Sequence, residues 1–216
     1  MKRCIGFTLI ELLVVIGLIT MLMAALLPHF GAVNDAAKSQ ACDANLRWWF
    51  ETIQGYRTTH REWPEGEGSA LLRTVWNSTS IEKTEPNLER CFCPHLAGDG
   101  KKRHLLAGTD IDDLWRNGHD TADIDYACRK DRRNWERGKV AWMADDNDDG
   151  RAWNHASRSM NVLYGDGNVH LFTLEELVDK GVLTADESAD LQAERSDLVL
   201  QCGPQSRLPD LRDLRY

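Results

Sequence analysis

Three places in this 216-residue chain put chemically capable side chains at telling spacings. Glu11 lies inside an apolar run, FTLIELLVVIGLITMLMAALLPHF, that fills residues 7–30. A carboxylate in hydrocarbon is costly and calls for a partner. Cutting the chain between Gly6 and Phe7 would create one, a positive amine carried by a neighbouring copy of the same helix. Asp145, Asn147 and Asp149 alternate ahead of Gly150, as in the opening of a calcium loop. The twelfth position of such a loop is Ala156, so its closing bidentate acid is missing and a complete EF-hand is excluded. Calcium binding then needs carbonyls or a distant carboxylate, and a solvated acidic turn is the competing reading. Cys91, Cys93 and His95 invite a zinc reading, but they stand too close together for the usual zinc-ligand loops, which favours packing or disulfides over zinc.

The elements that must carry these residues begin with a membrane segment. Lys2 and Arg3 precede the apolar run and keep the leader on the cytoplasmic side. About 20 apolar residues suffice to cross the hydrocarbon as a helix. The run is long for a cleaved secretory signal, which favours an anchor. Pro28 removes a backbone donor 22 residues into the segment that starts at Phe7. A kink near His29 and Phe30, or simply the end of the span, follows. Beyond Gly31, Ala32, Ala36, Cys42, Leu46, Trp49, Phe50, Ile53 and Tyr56 recur at helical steps. They predict one long helix from Phe7 to about Thr58; two helices split at Pro28 and Gly31 fit nearly as well.

Gly6-Phe7-Thr8-Leu9-Ile10-Glu11, behind a basic leader and ahead of an unbroken apolar helix, resembles the cleavage and methylation site of type IV prepilins and type II secretion pseudopilins. The resemblance implies that a prepilin peptidase cuts after Gly6 and methylates Phe7, and that Glu11 is the assembly carboxylate. Tyr56 through Trp63-Pro64 is similar to the end of the long helix in secretion pseudopilins. His155 followed by Asp166-Gly167 resembles a block near the end of many prepilin-type domains. It departs in two ways: ten residues rather than nine separate His155 from Asp166, and Asn168 stands where a histidine is usual. The major secretion pseudopilins also bind calcium through a carboxy-terminal loop.

The fold this implies is α+β and pilin-like: a long amino-terminal transmembrane and stalk helix packed on a small antiparallel head. Its parts are a leader at 1–6, a transmembrane helix at 7–30, an amphipathic stalk at 31–58, a head at 59–175, and a carboxy-terminal helix with a loose tail at 176–216. Within the head, 70–76 reads as a short helix, while 123–128 and 139–145 read as strands. Residues 160–172 read as a hairpin around Gly165-Asp166-Gly167-Asn168.

With 26 basic and 34 acidic residues the net charge is −8, which disfavours nucleic acid as a partner. Mean hydropathy is −0.47 despite the apolar run, so the remainder is strongly polar. Five cysteines follow Cys4, enough for at most two disulfides if the head lies outside the cytoplasm. No nucleophile motif, complete metal site or phosphate loop speaks for an enzyme. The expected partners are a prepilin peptidase, further copies and other pilins, an inner-membrane assembly platform, and lipid. The expected setting is a single-pass inner-membrane subunit of a secretion pseudopilus exporting protein. An adhesive pilus subunit, its eight tryptophans forming a contact surface, is the alternative.

Overall fold

The computed structural model describes residues 8–66, 68–78, 81–94, 126–129, 138–145, 159–188, 202 and 207–215, with the side chains of 25–30, 32, 69, 85, 210 and 215 outside that description. Two compact units divide the chain, Met1–Ala37 and Lys38–Tyr216. Helix α1 is a single element, Leu9–His60, so the reading of one long helix holds over the split one.

In the first unit, residues 8–24 are exposed throughout. The large apolar side chains between positions 9 and 23 keep 44–77% of their surface open. Among the described residues no helix is long and apolar enough to cross a membrane. The six side chains at 25–30 that would complete the expected span lie outside that set.

In the second unit α1 buries a narrow stripe. Ser39, Cys42, Leu46, Trp49, Ile53 and Tyr56 follow one another at steps of three and four, and all are buried. Ala36, expected on this stripe, is exposed, and Phe50 is only half-buried. The helix ends at His60 because Arg61 turns left-handed, with φ 61°. Arg57 places positive charge against the carbonyl end of the last turn. The aromatic-proline pair follows the helix end: Trp63 meets Trp142 edge-on at 5.4 Å and lies under the Arg57 guanidinium at 4.4 Å.

Two short helices come next, α2 (Ser69–Asn77) and α3 (Glu85–Glu89). The first matches the expected helix at 70–76 and buries Leu71, Leu72, Val75 and Trp76. The second carries a proline in its first turn, which is a start signal legible in the sequence.

Among the described residues five strands form an antiparallel sheet: β1 (Tyr126–Arg129), β2 (Ala141–Asp145), β3 (Met160–Tyr164), β4 (Val169–Phe172) and β5 (Leu214–Arg215), in the order β4-β3-β2-β1-β5. The expected hairpin is β3–β4, paired from Met160 with Phe172 to Leu163 with Val169. Every residue of β1 and β2 is buried, because the sheet is covered on both faces. One face meets α1 and α2, through Tyr126, Cys128, Trp142 and Leu163 against Leu46, Trp49, Leu72 and Trp76. The other meets helix α4 (Leu174–Asp179) and the carboxy-terminal segment.

That second cover corrects the reading of a loose tail. Leu208, Leu211 and Leu214 are buried, a 3₁₀ turn spans Pro209–Leu211, and β5 pairs with β1 at the sheet edge. Arg129 binds Asp213 at 2.9 Å. Leucines three apart in a proline- and charge-rich stretch look like a polar extension, yet they supply the apolar surface the sheet lacks. The helical reading beyond Leu174 holds in part: α4 closes at Gly181, φ 68°, and helix resumes only at 185–188.

Candidate assembly and processing site

Gly6 and Phe7 lie outside the described residues, and the description opens one residue later at Thr8. There the first turn of α1 is closed by two side chains. The Thr8 backbone N–H donates to Glu11 Oε2 at 2.8 Å, and the Thr8 hydroxyl donates to the same oxygen at 2.6 Å. In return the Glu11 N–H donates to Thr8 Oγ1 at 3.4 Å. This is a reciprocal capping box, which satisfies two of the donors a helix start leaves open. A carboxylate in the first turn also meets the positive end of the helix dipole. The spacing Thr-x-x-Glu is readable in the sequence, and it gives Glu11 a local partner in Thr8.

Glu11 therefore has a partner within its own chain. Its carboxylate lies three residues from the helix start, on a surface of exposed Leu, Ile and Val side chains. A cation supplied by another copy would find the charge solvated by one threonine and otherwise set among apolar groups. An apolar surface this continuous belongs against lipid or against other helices.

The second group of expected residues divides. His155 lies outside the described residues; Asp166 and Gly167 form the tip of the β3–β4 hairpin. Asp166 accepts from the Asn168 N–H at 3.0 Å and from Asn168 Nδ2 at 2.9 Å. These bonds, the backbone one foremost, hold its carboxyl below the usual aspartate range. Gly167 adopts φ 82°, and a Cβ there would come within 2.9 Å of the Phe50 ring. The Asp-Gly pair thus shapes a turn that rests on α1. Asn168, which replaces the usual histidine, is the donor that makes the turn.

Of the acidic loop only Asp145 is described; Asn147 and Asp149 are outside. Asp145 ends β2 fully buried, and its carboxylate accepts from the Asn161 N–H and, at 2.7 Å, from Asn161 Nδ2. Asn161 Nδ2 also reaches the Ser39 carbonyl of α1 at 3.5 Å. The carboxylate joins β2 and β3, and Asn161 passes that link on to α1. Among the described residues no cluster of three or more His, Cys, Asp or Glu is arranged to hold a metal ion.

The tryptophans in view pack in or against the core. Trp49, Trp76 and Trp142 are fully buried, and Trp48 and Trp63 pack against the same core. Trp115, Trp135 and Trp153 lie outside the described residues.

Residues 1–27 match the family model of the prokaryotic N-terminal methylation motif, the signature of type IV prepilins and pseudopilins. No curated protein and no solved structure matches the chain. The motif supports a type IV pilin-like prepilin subunit rather than an enzyme. It implies a membrane-anchored precursor, processing by a prepilin peptidase, and assembly with other pilins.

Proposed function

We propose that this chain is a structural subunit of a pseudopilus in a type II secretion-like system. The leader at 1–6 is removed after Gly6, Phe7 becomes the methylated amino terminus, and residues 7–30 hold the precursor in the inner membrane as a single span. The chain from residue 31 onward lies outside the cytoplasm. Copies leave the bilayer by exchanging lipid for each other's helices, with the Phe7 amine of one copy set against Glu11 of the next.

One observation carries this reading. The methylation motif at 1–27 continues into a helix whose apolar side chains are exposed from Leu9 to Met23 and whose one acidic residue in that stretch is Glu11. The acid costs too much in hydrocarbon to be incidental, and pairing between copies offsets that cost once the leader is gone. The secretion reading draws support from the described tryptophans, of which Trp49, Trp76 and Trp142 are buried in the core and Trp48 and Trp63 pack partly buried against it.

The test is mass spectrometry of the chain from membranes of cells with and without the prepilin peptidase. The expected product begins at methylated Phe7, and only where the peptidase is present. A mature chain retaining Met1, or one cut near Ala25, overturns the proposal. Deleting the gene separates the two assemblies: loss of protein export with surface fibres intact fits a pseudopilus, and the reverse fits an adhesive pilus.

A further inference from the structure

The sulfurs of Cys42 and Cys93 lie 2.9 Å apart in the buried core, 51 residues apart in sequence. Cys42 sits on the buried stripe of α1, and Cys93 in the turn that follows α3. Neither position is left to chance by its neighbours. One turn along α1, Asn45 Nδ2 donates to the Phe92 carbonyl at 3.3 Å and to the Tyr126 hydroxyl at 3.2 Å. Tyr126 itself donates to the same Phe92 carbonyl at 3.2 Å. These bonds hold the residue before Cys93 against α1, so the two thiols face each other across a fixed gap. The other three described cysteines are placed elsewhere. Cys91 Sγ points at the Asn87 carbonyl at 3.7 Å, Cys128 lies in β1 against the α1 face, and Cys202 belongs to the opposite face of the sheet.

We propose that Cys42 and Cys93 are a redox pair that closes into a structural disulfide, pinning α1 to the segment after α3. A bond of roughly 2.05 Å requires the two sulfurs to approach further and the Cβ–S–S–Cβ dihedral to settle at about 90° in magnitude. Closure joins Sγ to Sγ and takes two protons and two electrons from the thiols. A thiol–disulfide oxidoreductase outside the cytoplasm accepts both electrons, its own disulfide opening to two thiols. Their mutual hydrogen bond and then burial push the Cys42 thiol well above the usual thiol range. The thiolate needed for exchange is therefore scarce in the folded core. Closure accordingly happens while the chain is folding, and the finished bond resists reduction. The pairing goes beyond the pseudopilin reading; only the oxidising compartment rests on it.

The experiment uses the full chain in two arms. In the first, cells are treated with a membrane-permeant alkylating agent before lysis, and the protein is mapped by mass spectrometry without reductant. A cross-linked pair of peptides holding Cys42 and Cys93 is expected, with Cys91, Cys128 and Cys202 alkylated. In the second, the purified chain is reduced, unfolded, and refolded in detergent with oxidised and reduced glutathione. The same cross-link is expected, with a melting temperature about 10 °C above that of the chain refolded under reductant. The double variant Cys42→Ala, Cys93→Ala should show no such dependence on reductant. Alkylated Cys42 and Cys93 in both arms, or either one bonded to a different cysteine, overturns the pair. Closure in glutathione but not in cells leaves the pair standing and overturns the location of the head outside the cytoplasm.

Discussion

Glu11 and Thr8 cap α1 by bonding to each other, the carboxylate taking both the N–H and the hydroxyl of the threonine. The residue proposed to bind a neighbouring copy is thus also a local helix cap. Two variants separate these duties. Glutamine serves in a capping box as glutamate does, but carries no charge. Glu11→Gln should keep the helix start and membrane insertion yet fail to join filaments, as measured by crosslinking between copies. Glu11→Val should fail equally in assembly and also fray the first turn. Normal filaments from Glu11→Gln would show that capping, not charge pairing, is what assembly needs.

The buried carboxylate of Asp145 serves the fold through Asn161. Replacing it with alanine strands the Asn161 donors and should cost about 2–3 kcal/mol. A loss that comes from the Asn161 link alone should be equal in chelator and in millimolar calcium, read as melting temperature of the full chain in detergent. Calcium binding at Asp145, Asn147 and Asp149 makes a different demand: the unmodified chain must melt higher in calcium, by mass action. A calcium-dependent rise that disappears in Asp145→Ala would assign that residue to the ion.

Asp166 gives the hairpin tip a pH dependence whose sign is set by its bonds to Asn168. Its folded pKa lies below its ordinary value, so its contribution is complete above about pH 4, the unfolded value. The contribution disappears as pH falls through the lower folded value. The carboxyl is largely exposed and screened, so the effect is small. Melting curves of the full chain from pH 5 downward should show a slightly larger acid-side loss than those of Asp166→Ala. Parallel curves for the two proteins would remove the turn from the acid response.

Leu211 lies fully buried under the sheet face opposite α1. Leu211→Ala should destabilise by about 2–5 kcal/mol, the range for buried leucine truncations. Removing 207–216 should do more, since it also uncovers β1 and breaks the Arg129–Asp213 pair. Thermal melting decides it: an unchanged midpoint for Leu211→Ala would mean the tail adds nothing to the core.

Local signals made much of this protein readable. The apolar run, its one acid and the Gly-Phe junction identify the amino-terminal device because membrane insertion and peptidase recognition act on contiguous residues. The helical period of Cys42, Leu46, Trp49, Ile53 and Tyr56 was legible because one helix face must be apolar when it meets a core. The β3–β4 hairpin was legible from its glycines and β-rich arms. Even the Thr8–Glu11 cap was present as a spacing, since a capping box closes over four residues.

What escaped depends on residues far apart in the chain. The tail looked loose because its leucines are diluted among Arg, Asp and Pro. They become core only because the sheet presents an uncovered apolar face to them. Asp145 stands among acidic neighbours in the sequence, and pairing of β2 with β3 brings Asn161 to its carboxylate. Cys42 and Cys93 were two thiols among six in the sequence. Only the Asn45–Phe92–Tyr126 bonds, which join three separate segments, bring their sulfurs together. Contiguous sequence determined the methylation motif and most of the elements, because those obey local periodicity and capping. Tertiary structure decided which polar and sulfur groups meet, because burial forces each to find a partner wherever the topology supplies one.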